Sequence, residues 1–110
     1  MPVQSSAKLN ALVADFGSQA KVAEALQVDR SRVSRWLHGE EPDELNRDKV
    51  EGVEYVLSRL TNHYRRETAI KWLLGFNPYL GNRRPIDLLR DARVAEVLAA
   101  VEAEQAGAYA

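Results

Sequence analysis

Gln19-Ala20-Lys21-Val22-Ala23-Glu24-Ala25-Leu26-Gln27-Val28-Asp29-Arg30-Ser31-Arg32-Val33-Ser34-Arg35-Trp36-Leu37 is the stretch that decides the fold. Val22, Ala23, Ala25 and Leu26 recur at three- and four-residue spacings and give a first short helix an apolar stripe. Ser18 stands where a helix N-cap is wanted, just after the Phe16-Gly17 break, and Asp29 is a second N-cap candidate. Val28 and Val33 flank that second cap at the two positions of a hydrophobic staple, which fixes how the chain turns into the next helix. The second helix then carries Arg30, Ser31, Arg32, Ser34 and Arg35 outward or along its flanks and Val33, Trp36 and Leu37 inward, and Gly39 ends it. Two short helices joined by a tight turn, the second with an arginine face, is the layout of a DNA-binding helix-turn-helix whose second helix enters the major groove.

The segment resembles the Xre-type (phage-repressor-like) helix-turn-helix family. Ala23, Val33 and Trp36 match its three core positions, and small Ala23 lets the crossing helix approach closely. Gln27 departs from the pattern, because many members have Gly at the inter-helix turn. Either Gln27 accepts a left-handed backbone or the turn has a different geometry. Arg30, Ser31, Arg32, Ser34 and Arg35 are the expected DNA-contacting residues, since arginine reads guanine with two hydrogen bonds and also binds phosphate. Gln19, at the start of the preceding helix, is placed to contact a phosphate. Trp36 reads as core.

Composition favours an all-α fold. Helix formers dominate the 110 residues and no window alternates with a period of two. Without cysteine there is neither a disulfide nor a thiolate metal site, which fits a cytoplasmic protein. The N-terminal residues do not read as a signal peptide and no apolar run approaches the ~20 residues of a membrane span, so a membrane role is not expected. His38 and His63 lack ligand-like spacing, no Ser-His-Asp arrangement or phosphate loop is present, and neither an enzyme, a metal nor a cofactor is expected.

The net charge of −1 hides a pattern. Residues 1–39 carry five basic and three acidic side chains, 40–62 three and seven, 63–93 seven and three, and 94–110 none and three. A protein that coats nucleic acid without specificity should be basic throughout. A basic recognition helix with an acidic end fits two surfaces for two partners.

Around the central motif, Ser6 to Phe16 forms a first helix with Leu9, Leu12, Val13 and Phe16 buried. Glu40-Glu41-Pro42-Asp43 is a proline-bearing connector, and Asp43 can cap a helix from about Glu44 to Asn62. Its expected stripe is Leu45, Val50, Val53, Leu57, Leu60 and Tyr64, with Val56 on the flank. Three helices alone make too small a core, so this fourth helix must pack on them. A fifth helix, Arg66 to Leu74, buries Ala69, Ile70, Leu73 and one face of Trp72. Gly75 stops it, Asn77-Pro78 and Gly81-Asn82 turn, and Pro85 opens a short helix bearing Ile86, Leu88 and Leu89. A last helix from about Arg93 to Glu104 buries Val94, Val97, Leu98 and Val101, and Gln105 onward reads as a loose tail.

Trp72, Asn77, Pro78, Leu80, Gly81, Pro85, Asp87, Leu88 and Leu89 resemble the C-terminal pattern of the Xre/MbcA/ParS antitoxin family. The resemblance covers roughly Ser18 to Val101. It implies a helix-turn-helix DNA-binding region over 1–62 and a small helical toxin-binding region over 63–110. It further implies an antitoxin of a type II pair, covering the active site of a RES-domain, NAD-degrading toxin and repressing its own promoter as a homodimer that builds a larger hetero-oligomer with the toxin. Trp72, Asn77, Pro78, Tyr79, Gly81, Arg83, Arg84, Glu102, Glu104 and Tyr109 are then the toxin-binding candidates. The alternative is a stand-alone phage-like repressor whose second half only dimerises.

Overall fold

Seven α-helices follow one another in the computed structural model, which describes residues 5–107: α1 (Ser5–Phe16), α2 (Gln19–Leu26), α3 (Arg30–Leu37), α4 (Glu44–Thr61), α5 (Arg66–Leu74), α6 (Pro85–Arg90) and α7 (Val94–Gly107). A single 3-10 turn, Pro78–Leu80, lies between α5 and α6. The described residues hold no strand, only an isolated antiparallel bridge between Asn77 and Arg83, so the expected all-α class is the observed one. They form two compact units, and the chain passes from one to the other within α4, between Glu54 and Tyr55.

In the first unit α1, α2 and α3 pack on one another. Leu9, Leu12 and Phe16 line one side of α1, while Val13, expected with them, is half-buried. The first half of α4 is tied to these helices, as their small core requires. Lys49 Nζ donates to the Leu26 carbonyl at 3.4 Å, and Lys8 Nζ lies 3.5 Å from a Glu51 carboxylate oxygen.

The stripe of α4 differs from the expected one at both margins. Leu45 is 55% exposed, and the buried residue is its neighbour Asn46. Counting back four residues from buried Val50 reaches 46, whereas 45 lies about 100° around the helix. Asn46 is accommodated because its Nδ2 donates to an Asp43 carboxylate oxygen at 2.6 Å. Val56 is fully buried and not a flank residue, since it stands three past Val53 on the same stripe. Tyr64 lies beyond the helix and is half-buried.

In the second unit α6 packs against α5 and α7, and α7 also meets the 3-10 turn. Ala69 and Leu73 bury α5, with Ile70 and Trp72 half-buried beside them. Gly75 ends that helix where a Cβ would come within 3.0 Å of the Lys71 carbonyl oxygen. Pro85 occupies the first position of α6, as expected. In α7 the buried positions are Val97, Ala100 and Val101, and Val94 and Leu98 are half-buried. The expected loose tail is corrected as well, since α7 continues through Gln105 and Ala106 to Gly107. The apolar pattern stops at Val101, but Glu, Ala and Gln are good helix formers and carry the backbone on.

Candidate functional site

The turn between α2 and α3 has the left-handed geometry that glycine normally supplies. Gln27 has φ 57° and ψ 50°, its N–H donates to the Glu24 carbonyl at 3.2 Å, and Val28 N–H reaches back to the Ala23 carbonyl at 3.0 Å. This paired closure is a Schellman motif built on a residue with a side chain. Ser18 caps α2 as expected, its Oγ accepting the Lys21 N–H at 3.1 Å. Asp29 takes the extended backbone of an N-cap, but its side chain makes no capping hydrogen bond. Its carbonyl accepts Arg32 N–H at 3.0 Å, and the carboxylate remains exposed. Val33 is buried and Val28 half-buried at the two staple positions.

On α3 the structure brings Arg30, Ser31, Arg32 and Arg35 to the exposed surface, with Ser34 half-buried. Trp36 and Val33 lie in the core. Gln19 opens α2 half-buried, and Lys21, one turn into that helix, is exposed. Lys21 is a cation that reading the sequence left out, although its place in the first turn after Ser18 marked it. Arg35 has a fixed partner: its Nε donates to a Glu40 carboxylate oxygen at 3.1 Å. Glu40 is brought there by the end of α3, where Gly39 at φ 107° lets the Glu40 N–H close on the Arg35 carbonyl at 3.0 Å. Asp43 also feels this face. The Asn46 hydrogen bond holds its carboxyl below the usual carboxylate range, and the Arg32 charge acts in the same direction.

In the second unit, residues 77–83 form a closed loop. Asn77 Oδ1 accepts the Tyr79 N–H at 2.9 Å, Asn77 N–H donates to the Arg83 carbonyl at 3.1 Å, and Asn82 N–H donates to the Asn77 carbonyl at 2.9 Å. Gly81 and Asn82 turn the chain with φ 68° and 61°. Arg83 and Arg84 are both engaged within the unit. Arg83 Nε donates to the Leu80 carbonyl at 2.8 Å, and its guanidinium lies 3.6 Å from Glu96. Arg84 forks onto Asp87 through two 3.0 Å hydrogen bonds, and Arg90 reaches the same carboxylate at 2.7 Å. The Arg84 hydrogen bonds are the main reason that the Asp87 carboxyl lies below the usual range. The Arg84-x-x-Asp87-x-x-Arg90 spacing was the sequence signal for this cluster.

The segment from the end of α5 into this loop presents apolar groups to solvent. Phe76 is 76% exposed, Tyr79 61% and Leu74 37%. Phe76 was not among the expected contacts, because it falls between the helix stop and the Asn-Pro turn and off the α5 stripe. Trp72 is half-buried with its Nε1 buried and lacking a hydrogen-bond partner. Pro78 and Gly81 are exposed and Asn77 is half-buried. Glu102 and Glu104 are exposed on the last turns of α7, and Tyr109 lies outside the described residues. Among the described residues no cluster of His, Cys, Asp and Glu could hold a metal ion, and no helix is long and apolar enough to cross a membrane.

Comparison with known proteins gives one set of relatives. The chain is 30% identical over 90 residues to proteins named mycobacterial cidal antitoxin MbcA from Mycobacterium bovis and Mycobacterium tuberculosis, a match covering 81% of this chain and 80% of each relative. In 110 residues, a match of that extent includes both α3 and the loop after α5. No protein-family model matches the chain, and no solved structure matches it significantly.

Proposed function

This chain belongs to the family of the mycobacterial cidal antitoxin MbcA, and on that premise we propose that it is itself an antitoxin that binds and neutralises a cognate toxin. The toxin is of the NAD-degrading RES type, and the region 63–110 covers its active site. The region 1–62 binds operator DNA through α3 as part of a homodimer and represses the pair's promoter, and the toxin complex is a larger hetero-oligomer in the cytoplasm. The 90-residue similarity to named antitoxins carries the toxin half of this reading. The exposed Arg30, Arg32 and Arg35 on one short helix after a left-handed turn support the DNA half.

Exposed Leu74 at the end of α5, Phe76 just after it and Tyr79 on the hydrogen-bonded 77–83 loop supply the apolar anchor that a protein partner needs. Trp72, Asn77, Pro78, Gly81, Arg83 and Arg84 frame or brace that loop. Glu102 and Glu104 supply carboxylates for a cleft that binds an anionic dinucleotide through cationic groups.

The test is co-expression with the neighbouring reading frame, followed by co-purification and rescue of growth. Phe76→Asp should cost at least ~2 kcal/mol of toxin affinity, as loss of an aromatic anchor does, and abolish rescue. Arg32→Ala with Arg35→Ala should weaken operator binding by ~1–3 kcal/mol for each lost base contact and leave rescue intact. Rescue undiminished by Phe76→Asp would remove this loop from the toxin interface.

A further inference from the structure

The Arg35–Glu40 pair has a geometry that a chance surface contact would not require. The carboxylate is placed by backbone: Gly39 in the left-handed region folds the chain so that Glu40 N–H bonds the carbonyl of Arg35 itself, and the two side chains meet at 3.1 Å. The contact uses Nε, which leaves the terminal Nη1 and Nη2 groups, the pair that can fork onto guanine O6 and N7, outside it. Both side chains are about half exposed, so a ligand can reach the guanidinium. Among the described residues, Arg30 and Arg32 make no ion pair of this kind.

Pairing changes what Arg35 offers to DNA. A free arginine is drawn to any phosphate, because attraction to the backbone is Coulombic and independent of sequence. An arginine whose charge is offset by a fixed carboxylate loses much of that attraction yet keeps its directional donors. Base readout depends on those donors and on how well they are held in place.

We infer that Glu40 is a specificity-determining residue of the α3 face: by holding Arg35 through Nε it suppresses indiscriminate phosphate binding and positions the Nη edge for guanine. The inference rests on the reading of α3 as a DNA-binding helix. Glu40 touches no base in this scheme and acts through Arg35.

The experiment uses the full-length protein as wild type, Glu40→Gln, Arg35→Ala and the double variant, each checked for native helical circular dichroism. Wild type selects sites from a pool of random duplexes, and each protein is then titrated by fluorescence anisotropy against the selected duplex and poly(dA-dT) over a series of salt concentrations. Glu40→Gln is expected to raise poly(dA-dT) affinity several-fold and to steepen its dependence of log K on log salt by about 0.9, one added phosphate contact. Affinity for the selected duplex should rise less, so the ratio between them falls. Selection repeated with Glu40→Gln should return a weaker guanine preference at one position. In the Arg35→Ala background the steepening should be less than half as large.

Equal gains on both duplexes, or no change on either, would overturn the inference. So would the same steepening without Arg35, because Glu40 would then be repelling phosphate directly. If wild type binds no duplex at all, the DNA reading of α3 fails and this inference fails with it, an outcome plainly different from those in which wild type binds.

Discussion

At the scale of single residues, four α-helix ends turn on positive-φ positions and only two of the four are glycine, Gly17 after α1 and Gly39 after α3. Gly39 ends α3, while Gln27 and Ala92, at φ 57° and 59°, close α2 and α6 with the same paired hydrogen bonds. A side chain in that region costs roughly 1–2 kcal/mol, and glycine gives back part of the gain through a more flexible unfolded chain. Gln27→Gly and Ala92→Gly are each expected to stabilise the unit that holds them by ~0.5–1 kcal/mol in urea melts. Unchanged or lower midpoints would mean that those side chains hold contacts worth more than the strain. Trp36 stands at the opposite extreme, only 3% exposed among the first three helices. Trp36→Ala should cost ~3–5 kcal/mol and unfold the first unit, and a variant melting at the parent's temperature would remove Trp36 from the core. The sequence showed Trp36 by its spacing from Val33, and it marked Gln27 as unusual without settling which turn would form. That choice depends on backbone bonds that residue type alone does not specify.

At the scale of elements, helices with caps and an uninterrupted stripe were the most legible. α2 and α3 begin directly after Ser18 and Asp29 as expected and α3 stops just before Gly39, although Leu37, expected inward, is only half-buried. α4 was misread at Leu45, where a buried Asn46 holds the stripe and an apolar residue faces out. Hydrophobicity alone cannot reveal that inversion; the Asp43–Asn46 bond explains it. α6 is braced by Asp87 between Arg84 and Arg90, and this makes a pH dependence. Asp87 titrates below its ordinary value in the fold, so its contribution is fully present above about pH 4 and fades as pH falls through the lowered folded value. Glu96, held low by Arg93, acts with the same sign. Asp87→Asn should therefore flatten the acid limb of a stability profile followed by circular dichroism from about pH 5 to pH 2. An unaltered acid limb would show that these partly exposed pairs contribute nothing measurable, which is common for surface ion pairs.

At the scale of the whole molecule, the two compact units hold different exposed chemistry, arginines on α3 in the first and apolar side chains on the 74–79 segment in the second. The charge pattern had indicated two surfaces, and a resemblance had to supply their partners. Phe76, the most exposed large apolar side chain among the described residues, was invisible to periodicity because loops have none. Deleting residues 102–110 tests the end of the chain. The shortened protein should lose the helical signal of 102–107, whose side chains are exposed or half-buried, and keep operator binding. It should lose much of its rescue of growth if Glu102 and Glu104 enter the toxin cleft. Full rescue would move inhibition onto the Phe76 loop alone.

The left-handed Gln27 also bears on how this turn can change over generations. Glutamine codons differ from every glycine codon at two bases at least, so the favourable replacement lies two mutations away. The direct single-base intermediates encode glutamate or arginine. Neither relieves the backbone, and each alters the charge beside Asp29 and Arg32 at the mouth of the turn. A lineage starting here must cross a step that gains no stability and disturbs the α3 surface before it reaches glycine, so selection on stability alone would leave the strained residue in place.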